Sequence, residues 1–134
     1  MKTLFSLAIM ILMSATMTFA QSEKTLIKTL SVEGAIAAIE LPGEVTLKNW
    51  ESDYIRITAT VSTGNYNEDF LKKLVSAGRY DIVSVNENGQ MIINMPKTSK
   101  KVTLSNVTLI ENFKFEIYVP YGVEVKTNSS SSAM

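Results

Sequence analysis

From Thr25 onward, apolar and polar side chains alternate with a period of two, in short blocks dense in Val, Ile and Thr. Neighbouring side chains of a strand point to opposite faces, whereas a helix brings together residues three and four apart, so this spacing predicts half-buried β-strands. In Tyr54–Val61, Ile55, Ile57, Ala59 and Val61 would face a core, with Tyr54, Arg56, Thr58 and Thr60 turned to water. Asn112–Val119 repeats the pattern, with Phe113, Phe115, Ile117 and Val119 inward. Shorter strands are predicted over Thr25–Val32, Ala35–Leu41, Glu44–Lys48, Tyr80–Val85, Gln90–Met95, Lys101–Ser105 and Val123–Lys126. Gly34, Pro42-Gly43, Asn88-Gly89, Pro96 and Pro120-Tyr121-Gly122 punctuate them as turns. Asn88-Gly89 is the strongest hairpin signal, because both residues accept positive φ.

One segment follows the helical period instead. Asn67 can cap free amides, Glu68 and Asp69 oppose the positive helix end, and Phe70, Leu71, Leu74 and Val75 form one apolar stripe before Gly78. A single short α-helix is therefore predicted over about 67–77, with Leu74 buried against the β core. Three strands open on Gly, at Gly34, Gly43 and Gly122, each followed by an alternating apolar pair. Such repetition suits stacked rungs as well as ordinary turns. The periodicity thus predicts a mainly β domain and leaves two architectures open. One is a single-stranded β-solenoid, or β-helix-like domain, with one short α-helix; the other is an antiparallel β-sandwich with that helix docked.

The first twenty residues have a different character. Lys2 gives a positive start, Leu4–Met13 is interrupted only by Ser6, and Thr18-Phe19-Ala20 ends on a small residue. This is the pattern of a secretory signal peptide over residues 1–20, and its apolar run is about half the roughly 20 residues that a spanning helix needs. The mature chain is expected to be exported, to the periplasm, the cell surface or the medium, with no membrane span after cleavage. Its β-rich domain would cover residues 21–126, and the Ser-rich residues 127–134 would form a disordered tail.

The chain contains neither Cys nor His, which removes disulfides, thiolate and imidazole metal sites, Cys nucleophiles and His-based acid–base catalysis. Thirteen basic side chains balance thirteen acidic ones, so no basic footprint points to nucleic acid. Carboxylates are the chemistry left. Glu51 with Asp53 or Glu44 would make the nearest pair, but residues two apart on a strand lie only about 7 Å apart and nothing marks these as buried. The reading is non-enzymatic, with no cofactor and no metal. Oxygen-bearing side chains within 64–69 lack the spacing of a calcium loop and are explained by helix capping. Trp50, Glu51, Asp53 and Tyr54 form the candidate binding cluster, an aromatic face flanked by acids and hydroxyls that would suit a sugar ring. The same Trp50 could instead pack over a core edge with its N–H satisfied locally.

Three runs carry a family resemblance: Pro42-Gly43-Glu44-Val45-Thr46-Leu47-Lys48-Asn49-Trp50-Glu51-Ser52-Asp53-Tyr54-Ile55-Arg56-Ile57, then Leu71-Lys72-Lys73-Leu74-Val75-Ser76-Ala77-Gly78-Arg79-Tyr80, then Tyr118-Val119-Pro120-Tyr121-Gly122-Val123. Together they resemble the adhesin family of Gram-negative bacteria whose domains are built of β-helix-like repeats, over most of Thr29 to Lys126. The resemblance implies the solenoid architecture and a short or truncated member, since relatives continue past the Pro-x-Gly-Val corner with further turns. It also implies an exported adhesin-like domain that binds a protein or a glycan through its surface. The alternative from another class is a periplasmic structural or assembly module that pairs through open β edges. Those edges are expected around Phe113–Val119 and Val123–Lys126, with a homo-oligomer as the outcome.

Overall fold

In the computed structural model, which describes residues 22–127, the alternating blocks become ten strands. They are β1 (Ser22–Ser31), β2 (Ile36–Glu40), β3 (Glu44–Trp50), β4 (Tyr54–Thr63), β5 (Val83–Glu87), β6 (Gln90–Asn94), β7 (Thr103–Leu104), β8 (Val107–Thr108), β9 (Asn112–Pro120) and β10 (Glu124–Thr127). The helical stripe becomes α1 (Glu68–Ser76). The signal peptide predicted over 1–20 and the tail from 128 onward lie outside the described residues; Thr127, assigned to that tail, ends β10.

Two four-stranded sheets form, ordered β1-β4-β9-β3 and β10-β2-β6-β5, beside a small β7-β8 hairpin. Ile55, Ile57, Ala59 and Val61 of β4 face inward, as do Phe115, Ile117 and Val119 of β9, and all are essentially buried. They share one core with Ala37 and Ile39 of β2 and Met91 and Ile93 of β6, so the two sheets stack face to face. Burying each such large side chain stabilises by about 1.5–3 kcal/mol. Both sheets are mixed: β3 runs parallel to β9, and β10, β2 and β6 are mutually parallel, whereas β1-β4, β4-β9 and β5-β6 are antiparallel. A mainly β fold with one α-helix is thus established among the described residues. Its open, mixed sheets fit the sandwich-like alternative, though not a purely antiparallel one, and a solenoid is not confirmed.

The two sheets are tied by short corners, 41–43 from β2 to β3 and 121–123 from β9 to β10. Gly43 is required at the first, because a Cβ there would lie 2.6 Å from the carbonyl oxygen of Phe113. These corners set edge strands β3 and β10 on the same side of the sandwich. The opposite side, with β1 and β5 at its edges, is closed by α1. Asn67 Oδ1 accepts from the Phe70 amide at 2.9 Å and caps the helix. Lys24 Nζ of β1 meets Glu68 Oε1 at 3.0 Å, holding that carboxyl below its usual range, and Ser22 Oγ donates to the Tyr66 carbonyl at 3.0 Å. Leu71, with none of its surface exposed, is the helix's core anchor in place of Leu74, which is half-buried at the margin of the stripe.

Three further expectations change. The strand predicted over 80–85 begins only at Val83: Tyr80 and Ile82 are buried in an irregular segment, and Val83 and Val85 are exposed. The predicted strand over 101–105 shortens to β7, because Ser105 and Asn106, with φ of 53° and 65°, turn the chain back into β8. Finally, β9 is not an edge, since β4 and β3 flank it, whereas β10 is. The Asn88-Gly89 hairpin between β5 and β6 forms as predicted, both residues at positive φ.

Candidate functional site

The outer face of the first sheet carries the most distinctive surface chemistry. Register aligns Thr29, Arg56, Tyr118 and Lys48 in one row across β1, β4, β9 and β3. Trp50, two residues beyond Lys48 on the same face, turns its indole over the next row. Its ring centroid lies 4.9 Å from that of Tyr54, edge to face, and 5.2 Å from that of Tyr118. The Arg56 guanidinium carbon sits 6.0 Å from the Trp50 ring and 5.6 Å from the Tyr118 ring. Cations over aromatic faces are attracted by the ring quadrupole, by roughly 0.5–2 kcal/mol according to exposure. The result is a guanidinium flanked by two aromatic rings, with Tyr54 packed against the first of them.

Polar groups frame this cluster. Trp50 Nε1 donates to the Tyr54 carbonyl at 2.8 Å, so the indole N–H is satisfied within its own turn. Lys48 Nζ lies 5.6 Å from the Tyr118 ring centre and 3.4 Å from Glu116 Oε2. That carboxylate raises the Lys48 pKa, and the Tyr118 hydroxyl, ahead of Lys48, lowers that of Glu116. Arg56 Nε is buried and has no hydrogen-bond partner.

Of the four residues proposed from sequence, the structure brings together Trp50 and Tyr54. Glu51 and Asp53 stand exposed in the intervening turn and form no hydrogen bond or ion pair, so they flank the rings in sequence only. Arg56 and Tyr118 were missed as site members. Their outward alternation was readable, but their meeting with Trp50 depends on β3 and β4 both lying beside β9.

No family model and no curated protein matches this chain. The site is therefore judged on its geometry. Among the described residues no group of three or more acidic side chains converges on one point, and no helix is long and apolar enough to cross a membrane. Within residues 64–69, Asn67 caps α1, and Asn65 Oδ1 accepts from Thr63 Oγ1 at 2.8 Å and from the Ile110 amide at 3.3 Å. A depression of about 490 Å³ lies at the 41–43 corner between Glu40, Pro42, Asn94 and Thr98. It contains neither an aromatic ring nor a cation, and it lies outside the aromatic cluster.

A second polar cluster was invisible in the sequence. Arg79 makes a bidentate pair with Glu111, Nε to Oε2 at 3.0 Å and Nη2 to Oε1 at 2.7 Å, while Nη1 donates to the carbonyls of Lys97 and Lys100 at 3.1 and 2.9 Å. The Tyr80 hydroxyl donates to the same Glu111 carboxylate. Burial first, and that carboxylate second, push the Tyr80 hydroxyl pKa well above its ordinary value. With all three guanidinium nitrogens engaged and both ionic side chains about nine-tenths buried, this cluster is a clamp that joins the end of α1, the 96–100 turn and the start of β9.

Proposed function

We propose that this chain is an exported, non-enzymatic, adhesin-like domain that binds a protein or a glycan through the outer face of its first sheet. The observation that carries this reading is the cluster in which Trp50 and Tyr118 flank Arg56 and Tyr54 packs on Trp50, on a face that no described element covers. Rigid aromatic rings offer large contact area at low entropic cost, and adjacent cationic and hydroxyl donors add direction. The leader-like first twenty residues and the resemblance to the adhesin family support the same reading.

Trp50 is the only tryptophan, so its emission reports on this face directly. The mature chain is titrated against immobilised neutral and acidic oligosaccharides and matrix proteins, with Tyr118→Ala and Arg56→Ala in parallel. Binding that shifts Trp50 emission and falls at least tenfold in both variants, with their melting temperatures kept within a few degrees, is expected. Absence of binding across the panel, or equal binding by both variants, overturns the proposal.

A further inference from the structure

The side of the sandwich formed by β3 and β10 has no counterpart to α1. Each strand has one neighbour among the described residues, β9 for β3 and β2 for β10, so one row of backbone donors and acceptors on each faces outward. Leu47, Val123 and Val125 are only half-buried along this side, although they pack on the core. Exposed edges normally carry charge that repels a second strand. On β3 the charges are arranged the other way. In Glu44-Val45-Thr46-Leu47-Lys48, an antiparallel second copy centred on Thr46 would set Glu44 opposite Lys48 twice, Thr46 opposite Thr46, and Val45 opposite Leu47. Opposite charges directly across an antiparallel pair stabilise it and like charges destabilise it. All partners in this register have the same parity, so whichever alternate residues turn their amides outward, those residues face each other and can bond.

From this self-complementary edge we propose that the partner is a second copy of this chain, joined β3 to β3 about a two-fold axis into a continuous eight-stranded sheet. The inference gives the edge-pairing alternative a specific occupant and is independent of ligand binding on the outer face. Glu44 forms no ion pair among the described residues, and the Lys48–Glu116 contact is a 3.4 Å pair between half-exposed side chains, so both charges can turn to a partner. On β10, Glu124 and Lys126 flank Val125 in the same palindromic order. The remaining edge of the second sheet, β5, carries Glu87 as its one charge and has no such complement.

The mature chain is examined by sedimentation velocity from 5 to 500 μM. A concentration-dependent shift from monomer to dimer is expected. Glu44→Lys and Lys48→Glu should each weaken association at least tenfold, whereas the double swap Glu44→Lys/Lys48→Glu, which recreates the pairing with signs exchanged, should restore it. Circular dichroism confirms that each variant is folded before it is scored. A monomer throughout the range, single variants that dimerise like the wild type, or a double swap as weak as the singles each overturn the proposal.

Discussion

Removing the Arg79 guanidinium should be among the most damaging single changes available to this fold. Arg79→Met keeps the aliphatic stem and deletes four hydrogen bonds, two to Glu111 and two to the carbonyls of Lys97 and Lys100. The Glu111 carboxylate would then be left about nine-tenths buried with only the Tyr80 hydroxyl as partner. Breaking one member of a buried pair costs about 3–5 kcal/mol, because the surviving charge has been withdrawn from water. An exposed pair would cost roughly 0.2–1 kcal/mol, so the two cases are well separated. At about 4 °C per kcal/mol for a domain of this size, the melting temperature should fall by about 12–20 °C. Urea denaturation of wild type, Arg79→Met, Glu111→Leu and the double variant completes a thermodynamic cycle. The double variant should cost less than the two singles together by about 1.5 kcal/mol or more, since it removes both charges. A single-variant loss below about 1 kcal/mol, with coupling under about 0.5 kcal/mol, would refute the clamp.

Leu71→Ala should cost about 2–5 kcal/mol in chemical denaturation and Leu74→Ala distinctly less; the reverse order would mean that α1 is rotated on its seat. Because the raised Tyr80 pKa means that the folded state holds the phenolic proton more tightly than the unfolded state, the associated stability is complete below pH 10 and is lost as pH rises above it. Wild-type stability should therefore fall more steeply between about pH 10 and 12 than that of Tyr80→Phe; parallel profiles would contradict a phenol held protonated by burial and by the Glu111 carboxylate.

Strand faces were legible in the sequence because side-chain direction in a strand is a local, two-residue property. Ile55 to Val61 and Phe113 to Val119 needed no partner to be assigned inward. The cap and stripe of α1 were legible for the same reason, as was the Asn88-Gly89 turn, where φ belongs to the residues themselves. The failures are non-local. Tyr80 sits in a periodic block, yet it leaves the predicted strand because Glu111, 31 residues away, accepts its hydroxyl beside Arg79. The parallel registers of β3 with β9 and of β2 with β10 join segments about 70 and 88 residues apart, and they decided three things at once: the sheets are mixed, β9 is interior, and β3 is an edge. The aromatic site was half legible on the same grounds, since Trp50 and Tyr54 share a turn whereas Arg56 and Tyr118 join them only across the ladder. Local spacing determines which face a side chain takes, at almost no entropic cost. Which strands become neighbours depends on closing long loops to bury one shared core, and that selection exists only in the assembled tertiary structure.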